Sequence, residues 1–123
     1  MTNLAGRPAD TLAYGDVKRL ELAMALAGDP ALLLMDEPTA GMAPGERAAF
    51  MRHVEAEAHT GKRAVLFTEH DMDVVFGHAD RVLVMDRGAL MAEGPPEQVR
   101  ADPTVRAVYL GTDAPAGTEA ASC

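Results

Sequence analysis

Apolar and polar residues follow one another along the chain in blocks, and the first block has the spacing of a helix. Val17, Leu20, Met24 and Ala27 recur at intervals that place them on one face of a helix. The glycine and proline of Gly28-Asp29-Pro30 end the block, as they commonly end helices. We therefore expect a helix over residues 11–27 whose buried stripe contains those four side chains.

The second block is a continuous apolar run, Leu32-Leu33-Leu34-Met35, which predicts a strand buried on both faces of a parallel sheet. Asp36 and Glu37 follow it, and Pro38 stops further strand pairing. Ligands of open α/β sheets bind at the carboxyl ends of the strands, so both acids are candidate functional residues. An apolar strand that ends in a solvated acidic turn accounts for the same stretch equally well.

The remaining blocks alternate between helix and strand patterns. In order, the predicted segments are a helix over 46–59, a strand over 63–69, a helix over 72–78, a strand over 82–85, a hairpin turn at 86–88 into a strand at 89–91, a helix from 94 and a helix over 103–110. The helix over 46–59 is expected to bury Phe50, Met51, Val54 and Ala58. Residues 1–10 read as a loop. Helices that alternate with strands predict the α/β class with a mostly parallel sheet.

Composition excludes several classes of protein. A chain of 123 residues with 48% hydrophobic content suits one small globular domain. The net charge of −8, without a basic stripe, argues against a nucleic-acid partner. No apolar run approaches the roughly 20 residues that cross a bilayer, and residues 1–10 lack the apolar core of a signal peptide. The single cysteine, Cys123, forms no internal disulfide, which fits a reducing cytosol.

Three features of the sequence suggest phosphate chemistry. Gly15 and Asp16 lie at a predicted helix start, where backbone N–H groups and the helix dipole favour an anion. Asp36 and Glu37 can divide their roles, one holding a hydrated Mg²⁺ and the other orienting or deprotonating water. His70 ends a second strand, so a parallel sheet brings it near Glu37. The structural alternatives are N-capping by Asp16 and an ordinary loop histidine at His70.

At these residues the sequence resembles the C-terminal portion of an ABC-transporter ATPase. Leu12-Ala13-Tyr14-Gly15-Asp16 occupies the place of the signature loop, usually LSGGQ, and residues 32–38 resemble the Walker B strand. Residues 40–44 take the place of the D-loop, and His70 that of the switch histidine. The forms LAYGDVKRLELA, DEPTAGMAP, TEHDMDVVF and EGPPEQVRADPTVRAVYLG resemble the ATPases of branched-chain amino acid importers. The resemblance covers residues 4–111.

The resemblance implies a role for each matched position. Asp36 would be the magnesium-associated acid, and Glu37 and His70 would be catalytic, with Glu37 as the general base. Residues 12–16 would contact ATP bound to a second ABC ATPase subunit. The other implied partners are transmembrane permease subunits, which would hold the protein peripherally at the cytoplasmic face of the plasma membrane. Three departures weaken the match: Ala13 replaces the usual serine of the signature, Asp16 its glutamine, and Ala43 the aspartate of the D-loop.

A larger departure is that G-x-x-x-x-G-K-[ST] does not occur in the sequence. The backbone cradle and the lysine that hold the β- and γ-phosphates are therefore missing from these residues. The implied fold is an incomplete P-loop NTPase-type (ABC ATPase) parallel sheet with flanking helices, which lacks the phosphate-loop strand between the strands at 63–69 and 81–85. We expect unpaired strand edges and an uncovered apolar face.

These expectations define the domains and the functional hypotheses. Residues 1–111 are interpreted as the C-terminal part of an ABC nucleotide-binding domain and residues 112–123 as a disordered tail. The leading hypothesis is a fragment of the ATP-hydrolysing subunit of a branched-chain amino acid importer, inactive on its own without the phosphate loop. The alternatives are a non-catalytic partner or regulator that docks on an intact ABC ATPase, and an inactive remnant.

Overall fold

The computed structural model describes residues 2–110, and the predicted tail at 112–123 lies outside this range. Within this range the chain forms two compact units, which are divided between Val74 and Val75. Both units combine helices with a two-stranded sheet, so the predicted α/β class is confirmed. Among residues 2–110, no helix has both the length and the apolarity needed to cross a membrane.

The first unit is built on a parallel pair of strands. Its elements are two short 3-10 turns (Thr2–Leu4 and Ala9–Thr11), α1 (Tyr14–Ala27), β1 (Leu32–Asp36), α2 (Pro44–His59), β2 (Ala64–Thr68) and the start of α3 (Met72–His78). The strand register aligns Leu32 with Ala64 and Asp36 with Thr68. The carboxyl ends of the two strands therefore lie side by side, as the sequence predicts.

Local signals explain the bounds of α2. Its N-cap, Ala43, has no side-chain acceptor, so Glu46 reaches back and accepts a hydrogen bond from the Ala43 N–H at 3.2 Å. Pro44 takes a first-turn position that needs no N–H. Gly61, at φ 76°, follows the last turn in the left-handed conformation that commonly ends a helix. The helix buries three of its predicted core residues, Phe50, Met51 and Val54.

The prediction that β1 is buried on both faces is wrong. Leu33 is 6% exposed and belongs to the core, against which Phe67 packs, whereas Leu34 is 65% exposed. Side chains alternate across a strand, and the core lies against one face of the β1–β2 pair. The opposite face is open to solvent, in agreement with the uncovered apolar face expected from the sequence. We call Leu32, Leu34 and Leu66 the open sheet face.

The predicted buried stripe of α1 is also wrong. Met24 is 69% exposed, whereas Leu22 is buried and Leu26 packs against the core. The second half of this helix is rich in alanine, leucine and methionine, so several faces are apolar and the spacing alone does not select one. The helix also begins at Tyr14 rather than at residue 11.

The second unit begins with the end of α3, and a hairpin and short helices follow. Its elements are β3 (Val82–Asp86), β4 (Ala89–Gly94), α4 (Pro96–Ala101), α5 (Pro103–Val105) and a π-helical turn (Arg106–Leu110). The antiparallel strands are joined by Arg87 and Gly88, at φ 49° and 81°, which is a two-residue turn with both residues left-handed. The predicted hairpin is confirmed, and β4 extends beyond residue 91. The core of the unit consists of Val82, Val99 and Val105.

Candidate functional site

The adjacent ends of β1 and β2 bring together the residues that the sequence singled out. The Glu37 N–H donates to the Thr68 carbonyl at 2.9 Å and thereby extends the strand pairing by one residue. His70 follows β2, and its Nε2 lies 3.5 Å from Glu37 Oε1. The predicted juxtaposition of Glu37 and His70 is therefore confirmed. Both side chains face solvent, since the carboxylate is 49% exposed and the imidazole 75% exposed.

Thr68 contacts both acids, although nothing in the sequence analysis gave it a role. Its hydroxyl donates to Asp36 Oδ1 and accepts from the Glu37 N–H at 3.2 Å. The contact depends on the parallel register, which pairs Asp36 with Thr68. The sequence does show a threonine at the end of β2. It does not show that the threonine hydroxyl bonds Asp36, because this depends on the register between β1 and β2.

Glu37 has an unusual backbone. Its φ of 46° lies in the left-handed region, where a residue with a Cβ is disfavoured by about 1–2 kcal/mol. The turn that follows is closed by a hydrogen bond from the Ala40 N–H to the Glu37 carbonyl at 3.1 Å. Such disfavoured conformations persist where the surrounding contacts hold them, and they are common at functional sites.

A buried polar pair connects the segments that follow the two strands. Thr39 is 2% exposed, and both its N–H and its hydroxyl donate to Glu69 Oε1, the N–H at 2.9 Å. Thr39 lies two residues after Glu37, and Glu69 directly precedes His70, so this pair holds the Glu37 and His70 segments together. Neither residue is singled out by the sequence pattern. The acid beside His70 was the available signal, but its partner is 30 residues away.

An ion pair holds Asp71, the residue that follows His70, in place. The Arg47 guanidinium of α2 pairs with the Asp71 carboxylate, and Arg47 Nε also donates to the Met42 carbonyl at 2.9 Å. The other oxygen of Asp71 accepts from the N–H groups of Asp73 and Val74 at 3.0 and 3.3 Å, and thereby caps α3. His70 is therefore held between two anchored neighbours, Glu69 and Asp71.

The predicted phosphate-contacting residues lie at the start of α1. Leu12 is the C-cap of the preceding 3-10 turn, and Ala13 is the N-cap of α1, with no side-chain hydrogen bond. The first backbone bond of the helix joins the Val17 N–H to the Ala13 carbonyl at 3.0 Å, so the preceding amides occupy the first turn, where they have no intrahelical acceptor. Asp16 lies inside this turn, 3.5 Å from Arg19 Nη1. The alternative that Asp16 caps the helix is therefore wrong.

Carboxylates surround this helix start. A Cβ placed on Gly15 would lie 3.2 Å from Glu46 Oε1, so the Glu46 carboxylate packs against the Gly15 backbone. The surrounding shallow pocket is lined by Ala13, Gly15, Asp16, Arg19, Met42 and Glu46. A phosphate that approached Gly15 through this pocket would meet two carboxylates and one guanidinium. The five residues at positions 12–16 lie on a different element from Asp36, Glu37 and His70.

The strand-end acids suit a hydrated magnesium ion. Asp36 is exposed, and its carboxylate and the Thr68 hydroxyl are hard oxygen donors. Magnesium usually keeps several waters and takes one or two protein carboxylates, so this donor set fits the ion. Among residues 2–110 there is no group of three or more His, Cys, Asp or Glu side chains that could hold a metal ion.

Comparison with known proteins gives matches along most of the chain. The family model described as "ABC transporter" matches residues 1–40, and the model described as "Branched-chain amino acid ATP-binding cassette transporter" matches residues 89–115. The high-affinity branched-chain amino acid transport ATP-binding protein LivG of Escherichia coli (strain K12) is 40% identical over 107 residues, which is 87% of this chain and 42% of that protein. BraF of Pseudomonas aeruginosa is 40% identical over 111 residues, or 90% of this chain and 44% of that protein.

Solved structures show the same fold. An ATP-binding cassette of an ABC transporter, MJ1267, superposes with a TM-score of 0.78 at 35% identity and covers 88% of this chain and 44% of that one. A nucleotide-free ATP-binding cassette from an ABC transporter gives a TM-score of 0.78 at 34% identity, with 88% and 44% of the two chains covered. The chain spans less than half the length of these relatives. In both sequence and fold, the part that they match is similar to the ATP-binding domains of ABC transporters and, among these, to the ATPases of branched-chain amino acid importers.

Proposed function

We propose that the chain provides the strand-end catalytic residues of an ABC transporter ATPase that drives the import of branched-chain amino acids. The observation that carries the proposal is the 3.5 Å approach of His70 Nε2 to Glu37 Oε1 at adjacent ends of parallel strands, beside Asp36. Two acids and a histidine at this edge of an α/β sheet suit the activation of water for attack on a phosphate. The transport of branched-chain amino acids by LivG and BraF supports the choice of solute.

In this proposal each strand-end residue has one task. Glu37 accepts the proton of the attacking water as the oxygen of that water bonds to the γ-phosphorus of ATP. The bond to the bridging oxygen breaks, and ADP leaves with the electron pair. His70 donates a hydrogen bond to a γ-phosphate oxygen and keeps the water in line. Asp36 would hold Mg²⁺, which neutralises charge on the β- and γ-phosphates. Residues outside this sequence would hold the phosphates.

The start of α1 serves a second site in this proposal. The first-turn amides around Gly15 would face ATP on a second ATPase subunit, where the helix N-terminus favours a phosphate. The carboxylates of Asp16 and Glu46 oppose that approach, so we expect weak phosphate contact from this loop. Permease subunits would complete the transporter and hold the ATPase at the cytoplasmic face of the membrane.

Replacing Glu37 in a completed domain tests the proposal. Residues 4–110 would be joined to the part of E. coli LivG that they do not match, which makes up the larger share of that protein. In this chimera Glu37→Gln is expected to retain ATP binding and to lower turnover about 100-fold or more, because it removes the base and keeps the shape of the side chain. ATP binding and phosphate release would be measured.

The matched control is Glu97→Gln, which makes the same chemical change at an exposed position of α4 and is expected to leave both quantities unchanged. Undiminished turnover in the Glu37→Gln chimera would place the base elsewhere and refute the assignment. Loss of binding together with turnover would indicate a role in holding the nucleotide instead.

A further inference from the structure

Tyr14 connects the start of α1 to a loop 26 residues away. Its hydroxyl donates to the Ala40 carbonyl at 3.0 Å. Its ring packs over Gly41, where an added Cβ would lie 3.2 Å from Tyr14 Cε1 and 3.4 Å from Cζ. Gly41 also has a φ of 80°, which strains any residue with a Cβ. Both the conformation and the missing side chain of Gly41 therefore serve the contact with Tyr14.

Burial alone does not account for this contact. Tyr14 is 51% exposed, so its ring contributes less to the hydrophobic core than a buried aromatic residue does. Lys18 Nζ lies 5.5 Å from the ring centroid and 3.2 Å from Glu21 Oε2. The hydrogen-bonded Glu21 carboxylate raises the pKa of the Lys18 ammonium, and this charged group lies beside the ring. Tyr14 is thus held in one orientation while half of it remains in water.

The neighbouring residue makes a second connection to the same segment. The Glu46 carboxylate contacts the Gly15 backbone and accepts from the Ala43 N–H at 3.2 Å. Residues 14 and 15 therefore both touch the segment 40–46. That segment begins at the Ala40 N–H, which is bonded to the Glu37 carbonyl at 3.1 Å. A continuous set of contacts leads from the first turn of α1 to the backbone of Glu37.

We propose that Tyr14 is a positioning residue that couples the start of α1 to the loop after Glu37. A shift of the helix start moves the Ala40–Gly41 backbone through the tyrosine hydroxyl and ring, and a shift of the loop moves the helix start in return. The significance of this coupling rests on the proposed function, in which the two segments are the signature loop and the D-loop of an ABC ATPase. Because its hydroxyl donates to the Ala40 carbonyl, the Tyr14 side chain acts on the backbone of this loop.

Amide hydrogen exchange of the full chain, without nucleotide, tests the coupling in both directions. The Ala40 and Met42 amides report on the loop, because they are bonded to the Glu37 and Thr39 carbonyls at 3.1 Å. Tyr14→Phe is expected to speed their exchange about fivefold to tenfold, as for the loss of one hydrogen bond. Gly41→Ala is expected to speed exchange of the Val17 amide, which forms the first bond of α1. Coupling is reciprocal, so both effects are required.

Tyr109→Phe is the matched control, since the Tyr109 hydroxyl also donates to a backbone carbonyl, that of Met85, within the second unit. It is expected to leave the Ala40, Met42 and Val17 amides unchanged. In the Tyr14→Phe/Gly41→Ala double variant, exchange should be no faster than in the more affected single variant, because both changes break one contact.

Three results would overturn the proposal. One is unchanged exchange at Ala40 and Met42 in Tyr14→Phe, and another is unchanged exchange at Val17 in Gly41→Ala. The third is equal acceleration at these amides and at those of β1 and β2, which would show a general loss of stability. Since no nucleotide is present, these results are independent of the Glu37→Gln test, and the coupling and the ATPase assignment can fail separately.

Discussion

Thr68 shows how a single hydroxyl can arrange two acids at the residue scale. It bonds the Asp36 carboxylate and the Glu37 N–H, and so holds the first acid while it fixes the backbone of the second. Glu37 then leaves the strand with a φ of 46°, and its side chain points to His70 instead of continuing the strand alternation. The Thr39–Glu69 bond keeps the two segments together. The pairing of Glu37 with His70 is thus imposed by neighbours that need not contact substrate themselves.

Replacing the histidine separates its role from that of the acid. In the completed chimera, His70→Ala is expected to lower turnover strongly and to weaken ATP binding less, because the imidazole acts mainly on the reacting γ-phosphate and water. Turnover and ATP affinity are measured on the same preparation. His53→Ala, at an exposed position of α2, is the control. Weaker binding with normal turnover would contradict the proposed role of His70.

At the scale of single elements, the β3–β4 hairpin holds one turn residue, Arg87, in a backbone conformation that this residue type disfavours. Its turn requires both central residues to be left-handed, which Gly88 adopts freely at φ 81° and Arg87 adopts at a cost at φ 49°. Asparagine followed by glycine is the favoured pair for this type of turn. The hairpin forms despite this cost because Val82 and its neighbours pack against Val99 and Val105.

The left-handed conformation of Arg87 predicts a stabilising substitution at this position. Arg87→Asn is expected to raise the free energy of unfolding by about 0.5–1 kcal/mol, because asparagine tolerates the left-handed conformation better than arginine. Chemical denaturation followed by circular dichroism measures the change. Arg87→Ala removes the same side chain without that tolerance and is expected to give no gain. Equal stabilisation by both variants would attribute the effect to charge instead of backbone conformation.

Elements defined by local signals could be predicted from the sequence, and those defined by packing could not. The helix at Pro44–His59, the helix Met72–His78 and the hairpin turn at Arg87-Gly88 follow from prolines, glycines and apolar spacing. The exposure of Leu34 and Met24 does not, because their neighbours are distant in sequence. The same holds at the site. Glu37 and His70 were identified as candidates at strand ends, whereas Thr68, Thr39 and Glu69 act through a strand register that one sequence does not reveal.

At the scale of the whole molecule, residues 2–110 form two units, each of which has one small core and one two-stranded sheet. The first unit leaves Leu32, Leu34 and Leu66 about half exposed or more on the open sheet face. Apolar area that stays in water contributes nothing to stability, while ordering the backbone still costs about 1–2 kcal/mol per residue. We therefore expect a small free energy of unfolding for a short chain with an open sheet face.

Urea unfolding of the chain alone measures this free energy of unfolding. We expect a broad transition at low urea concentration, and a shift to higher concentration in the chimera with LivG, whose added residues are expected to pair with the strand edges of this part. Leu34→Lys is the control in the chain alone: its side chain is already 65% exposed, so the midpoint should change little. A sharp cooperative transition of ordinary midpoint for the chain alone would contradict the expectation.

The open sheet face has a consequence for molecules of this chain that meet in solution. Within residues 2–110 the β1–β2 sheet has only two strands, so its outer edges are unpaired there, and these edges and the exposed leucines favour association between copies. The net charge of −8 makes those copies repel. Dissolved salt shortens the reach of that repulsion to about 8 Å at physiological ionic strength, and it leaves the attraction between leucines intact. The negative net charge of the sequence therefore opposes aggregation, and added salt weakens this effect.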